Sequence, residues 1–195
     1  GLALLTGVTV GAVSYMLEAE ALRHEAANRL ASMADGASAR VEFLLDDVRR
    51  DMALLDASEL GTDHLLEFST TWDAEAIVPL YLDGNPHPLG QRQALRDAGD
   101  GSDWSDAHRR HHGTLRAFQE QRGYYDLFLI NPAGDVVYTV AKEADFGTNL
   151  TNGPYADSGL GEVFRRARDL SAGQVIFADY AAYAPSAGAP AAFAA

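Results

Sequence analysis

The sequence predicts an α+β protein in which a long N-terminal helix leads, through a helical segment, into a small antiparallel sheet. Three observations predict it. Residues 18–58 hold neither a proline nor a turn cluster, and Gly36 is the single glycine inside them. Residues 124–141, YYDLFLINPAGDVVYTVA, set two apolar runs around Asn131-Pro132-Ala133-Gly134-Asp135, a group of turn-forming residues. Beyond that hairpin the chain reads as loop, helix, strand, loop and strand, the order of an α+β domain.

The elements follow in chain order. Residues 1–17 carry no charge and are mostly aliphatic. They read as the outer part of a membrane span, a little short of the roughly 20 residues a full span needs. In residues 18–60, Leu30, Ala34, Ala37, Val41, Leu44, Val48, Met52 and Leu55 recur at alternating steps of three and four. That is the narrow seam of a coiled coil. Forty helical residues reach about 60 Å, so a helix leaving a membrane here is a stalk, with dimerisation through the seam as its expected use. Gly61 is expected to end it. Residues 61–122 form a helical segment, with one helix running from Thr62 or Asp63 toward Leu82 and another starting at Ser105 or Asp106. Gly123 is expected as a left-handed C-cap of that second helix.

Residues 123–195 make the sheet region. The first hairpin strand is apolar on both faces, with Tyr125, Leu127 and Leu129 on one and Phe128 and Ile130 on the other, as in a strand buried on both sides. Asp157 or Ser158 can cap a helix with Leu160, Val163, Phe164, Ala167 and Leu170 on one face. Residues 174–180, QVIFADY, read as a third strand, and a fourth begins near Ala191 and stops at the chain end. The sheet is therefore expected to be incomplete at its C-terminus.

Composition narrows the function. The formal net charge of −13 argues against nucleic acid, because phosphate binding needs clustered Lys and Arg. No cysteine is present, which removes disulfide and thiolate chemistry. There is no G-x-S-x-G, no phosphate-binding loop and no dinucleotide fingerprint. Nothing in the sequence argues for an enzyme or a cofactor.

Residues 124–140, YYDLFLINPAGDVVYTV, then DFGTNL with GPY and a short helix, then VIFADYAAYAPSAGAPAAFAA, follow one another behind a membrane-proximal helix. In this order they resemble the extracytoplasmic Cache sensor domains, relatives of the PAS fold found in bacterial methyl-accepting chemotaxis receptors, sensor kinases and membrane cyclases. The resemblance covers residues 123–195, and the stalk by character. It implies a PAS-like antiparallel sheet (a Cache domain) in the periplasm, anchored in the cell inner membrane. Such a domain binds a small molecule and passes the event through a homodimeric stalk to a cytoplasmic output. A kinase or cyclase sensor, or a membrane-tethered metal hydrolase, is the alternative. Residues 62–122 exceed what a minimal domain of this kind needs, and the Arg-Trp-Tyr and Tyr-x-Asp pattern of amino-acid-binding double Cache receptors is missing.

A ligand site on the sheet would take its anchors from Tyr125, Asp126, Tyr138, Lys142, Tyr155, Asp179, Tyr180 and Tyr183, with Glu143 and Asp145 in the loop between them. Asp126 and Asp179 stand out because each interrupts an apolar strand, and a buried carboxylate needs a partner or a ligand cation. In HRRHH, His108 and His112 fall at i and i+4 and are weak candidates for a shared metal. No H-E-x-x-H accompanies them, and two arginines lie between, so no metal is expected.

Overall fold

The computed structural model describes residues 2–58, 61–171 and 173–195, with side chains from residue 18 onward. It is α+β, with a long N-terminal helix and two small antiparallel sheets. The chain divides into two compact units, Gly1–Val48 and Arg49–Ala195.

The first unit lies within helix α1, which runs Leu2–Asp56 and ends in the second unit. Along the first unit α1 exposes Leu22, Leu30, Met33, Val41, Phe43 and Leu44. The membrane span expected at residues 1–17 falls on side chains outside the described residues. Among the described residues, no helix is long and apolar enough to cross a membrane. α1 stops at Asp56, before the Gly61 expected from the sequence.

In the second unit the expected helix from residue 62 to residue 82 is two helices, α2 (Thr62–Thr70) and α3 (Ala74–Tyr81). The break comes from Asp73, whose extended backbone and carboxylate, bonded to the Ala76 amide, begin a new helix. A 3₁₀ turn (Arg92–Ala94) leads to α4 (Asp103–Arg122). Ser102 caps α4 through the Ser105 amide, three residues before the predicted start, and Gly123 closes it in the left-handed conformation.

Strands β1 (Phe128–Ile130) and β2 (Val136–Thr139) pair antiparallel. The turn between them is held by Asn131, whose side chain accepts from the Asp135 amide and whose carbonyl accepts from Gly134 at φ 96°. Helix α5 (Gly159–Ala167) is capped by Ser158. Strands β3 (Phe177–Tyr183) and β4 (Ala189–Ala194), joined by a 3₁₀ turn (Ala184–Ser186), form the second sheet. The expected single sheet is thus two hairpins, and β3 starts three residues later than predicted.

The strand buried on both faces is β2, not β1. All four of its residues are buried, while β1 is half-buried throughout. Val137 and Tyr138 enter a core with Phe68, Ile77, Tyr81 and Trp104 from the helices. Val136 enters a second core with Leu150, Leu160, Val163, Phe164 and Tyr183. The faces of β1 divide as the sequence indicated, Leu129 packing on the first core and Phe128 and Ile130 on the second.

Two glycines with positive φ separate backbone strain from crowding. Gly90 has φ 82° and open space around it, whereas a Cβ on Gly147 (φ 79°) would collide with the Val78 side chain. Gly90→Ala is expected to cost about 1–2 kcal/mol. Gly147→Ala is expected to cost more than about 3 kcal/mol, because overpacking adds to the strain. Urea denaturation of the two variants checks the difference.

Candidate functional site

β2 delivers the chain into a polar cluster between the two cores. The first member is Asp126, in the segment before β1. The residue is half-buried, but its carboxylate is enclosed: Oδ1 accepts the amides of Leu127 at 2.7 Å, Val140 at 2.9 Å and Ala141 at 3.0 Å, and Oδ2 accepts the Thr139 hydroxyl. Burial pushes its pKa up to about 7, against the pull of these hydrogen bonds. Three of these four donors belong to the 139–142 turn, which commits the carboxylate to closing that turn, so its role is to shape the site.

Lys142 sits in that turn, fully buried and at φ 55°. Its Nζ donates to the Thr139 carbonyl at 3.0 Å and lies 5.1 Å from the Tyr138 ring and 5.9 Å from the Tyr81 ring. Its own carbonyl accepts from Arg92. Burial lowers its pKa to about 7, opposed by the charge of Asp126.

Glu143 and Asp145 carry the rest. Glu143 is held from two sides, by the Tyr125 hydroxyl on Oε1 and the Ser186 hydroxyl on Oε2, each at 2.6 Å. Asp145 is fully buried; its Oδ2 accepts from the Tyr183 hydroxyl at 2.6 Å, while Oδ1 has no partner among the described residues. Burial raises the Asp145 pKa to about 6, and the neighbouring Glu143 charge adds to the rise while the Tyr183 hydrogen bond opposes it. No Lys, Arg or His nitrogen among the described residues forms an ion pair with either carboxylate.

The structure therefore brings together Tyr125, Asp126, Lys142 and Tyr183 from the sequence candidates, along with Glu143 and Asp145. Tyr155 stands close by, its ring 6.4 Å from that of Tyr183. Asp179 and Tyr180 are not part of the cluster. Both are exposed on β3, and Asp179 bonds the next backbone amide. Tyr138 points into the first core, where its hydroxyl reaches His112 at 2.8 Å.

His108 and His112 do share a helix face, but as core residues. Their rings stack at 4.3 Å, and His108 also stacks on Trp104. The Gln93 carbonyl accepts from His112 Nε2–H at 2.7 Å, which leaves Nδ1 to accept from Tyr138; the Arg96 carbonyl accepts from His108 Nδ1–H at 2.9 Å. Burial lowers the pKa of His112 to about 3 and that of His108 well below its usual value, so both are neutral. Among the described residues, no group of three or more His, Cys, Asp or Glu side chains could hold a metal ion.

Sequence reasoning missed Ser186, which meets Glu143 across 43 residues with no local signal. It also missed Asp51, an acid beside the apolar seam. Asp51 is buried and binds the Tyr124 hydroxyl at 2.6 Å and Arg122 at 2.8 Å, tying the end of α1 to the residue next to Tyr125. Comparisons with family models, with curated proteins and with solved structures return no match.

Replacing the buried amine tests this electrostatic description. Below pH 7 the folded chain bears the full cost of a buried ammonium. Between pH 7 and 10.5 the unfolded chain holds a proton that the folded one lacks, so stability rises with pH. Lys142→Met is expected to be more stable than the natural chain by up to about 5 kcal/mol near pH 6.5, with the advantage vanishing toward pH 10.5. Denaturant titrations across that range check it; a difference independent of pH would show that the amine titrates as if in water.

Proposed function

We propose that this chain is the extracytoplasmic ligand-sensing region of a transmembrane chemoreceptor, anchored in the inner membrane through its N-terminal helix with the sheet domain in the periplasm. The resemblance of the residue 124–141 hairpin and its successors to Cache domains supports this, as does the continuous helix leading into the domain. The observation that carries it is the cluster itself. Tyr125, Glu143 with Asp145, and Ser186 with Tyr183 come from three separate segments and bring together two buried carboxylates, of which one oxygen, Asp145 Oδ1, has no hydrogen-bond partner among the described residues. Buried polar groups are normally satisfied, and an orphan acceptor is costly unless something else completes it.

A small molecule that binds the two carboxylates would compete with the hydroxyls on Glu143. Tyr125 is one of them, and Tyr124 beside it holds Asp51 near the end of α1. Ligand binding would thereby favour one of two settings of the helix end, by no more than the difference in its affinity for the two. The exposed apolar residues of α1, Leu30, Met33, Val41 and Leu44 among them, suit a second copy of the same helix in a homodimer. In this reading the chain carries no catalytic group of its own.

A thermal-shift screen of small metabolites is the test. At least one compound is expected to stabilise the protein, and at 100 times its dissociation constant by about 2.7 kcal/mol. A broad panel that shifts nothing, with the protein folded, would overturn the sensing reading.

A further inference from the structure

Among the described residues, the pair Glu143 and Asp145 has no ion-pairing cation. Glu143 is 5 % exposed and Asp145 0 %, and the groups facing their carboxylates are neutral: the hydroxyls of Tyr125, Ser186 and Tyr183, and the backbone amides of Asp145 and Phe146, which pull the Asp145 pKa down. A hydroxyl stabilises a carboxylate but does not neutralise it, and two carboxylates in one buried site repel each other. Lys142, the single lysine of the chain, is turned away to the Thr139 carbonyl and the rings of Tyr138 and Tyr81. The arrangement is complete in everything except a positive charge and one hydrogen-bond donor to Asp145 Oδ1.

We infer that the Glu143–Asp145 pair holds the primary ammonium group of a small organic cation, with Asp145 Oδ1 as its anchoring acceptor. The inference rests on the sensing reading above and names the ligand class of that site. An ammonium carries three N–H donors on one charge. Asp145 Oδ1 takes one, and each Glu143 oxygen, already accepting a single hydroxyl, has a lone pair for another. An anion would meet two carboxylates with no ion-pairing cation beside them. A calcium ion would need six to eight oxygen ligands, and the described residues supply no metal-binding group. Tyr125, whose phenol is one of the two hydroxyls on Glu143, is 67 % exposed.

Four probes test it on the whole chain near pH 7.5: propylammonium, tetramethylammonium, propionate and calcium chloride. Propylammonium is expected to raise the melting temperature by about 2 °C or more at saturation, while the other three leave it unchanged. Tetramethylammonium has the charge but no N–H to give Asp145. Asp145→Asn is expected to abolish the response. Asp179→Asn, which changes an exposed β3 carboxylate outside the cluster, is expected to keep it. If Asp145→Asn does not fold by near-ultraviolet circular dichroism, Glu143→Gln serves instead, with affinity expected to fall about tenfold. Equal stabilisation by tetramethylammonium, or no response to propylammonium, overturns the inference. A response to propionate or calcium that Asp145→Asn removes overturns the ligand class and leaves sensing at this site standing. A metabolite panel without a single stabilising compound overturns both.

Discussion

Because β2 is buried on both faces, the polar residues that follow it are carried into the seam between two hydrophobic cores, where water cannot solvate them. Every notable feature of the site is a response to that placement. Thr139 and Asp126 satisfy the turn amides; Lys142 curls back onto the Thr139 carbonyl under two aromatic rings; Tyr183 and Ser186, arriving from the second hairpin, supply hydroxyls to Asp145 and Glu143. The two cores do not touch the acids with charge, so the local excess stays negative.

The helices contribute the opposite kind of order. Trp104, His108 and His112 lie along one face of α4, stacked ring on ring and tied to loop carbonyls, so that face is rigid and its histidines neutral. At the far end of α4, Arg122 and the following Tyr124 both grip Asp51. The two regions differ in charge: the stacked histidines are neutral, whereas the acid pair has no ion-pairing cation among the described residues.

How much of this could be read from residues alone depended on range. The hairpin was legible because its turn is local: Asn131 bonds Asp135 four residues away, and the alternation of Leu127 and Leu129 against Phe128 and Ile130 survives into the packing. The caps at Gly123 and Ser158 were legible for the same reason. The break at Asp73 had a local signal, an N-cap residue inside an apolar run, that the longer helical pattern hid. The histidine pair was seen as a pair, but its continuity with Trp104 four residues earlier marks a buried stripe, and that stripe explains it better than a metal does. Asp145 with Tyr183 and Glu143 with Ser186 are bonds across 38 and 43 residues, set by how two hairpins pack on α5, and nothing local encodes them. Asp179 misled because an acid in an apolar strand looks the same whether its face is covered or open.

The claim that matters most is that Asp145 is a buried acid without a counter-ion. Its side-chain carboxyl ¹³C shift, followed against pH in the ligand-free protein, measures this directly. The carboxyl is expected to titrate near pH 6, well above an ordinary aspartate. A titration at or below about 4 would mean that Asp145 is solvated or already paired, and the site would have no charge left to be met.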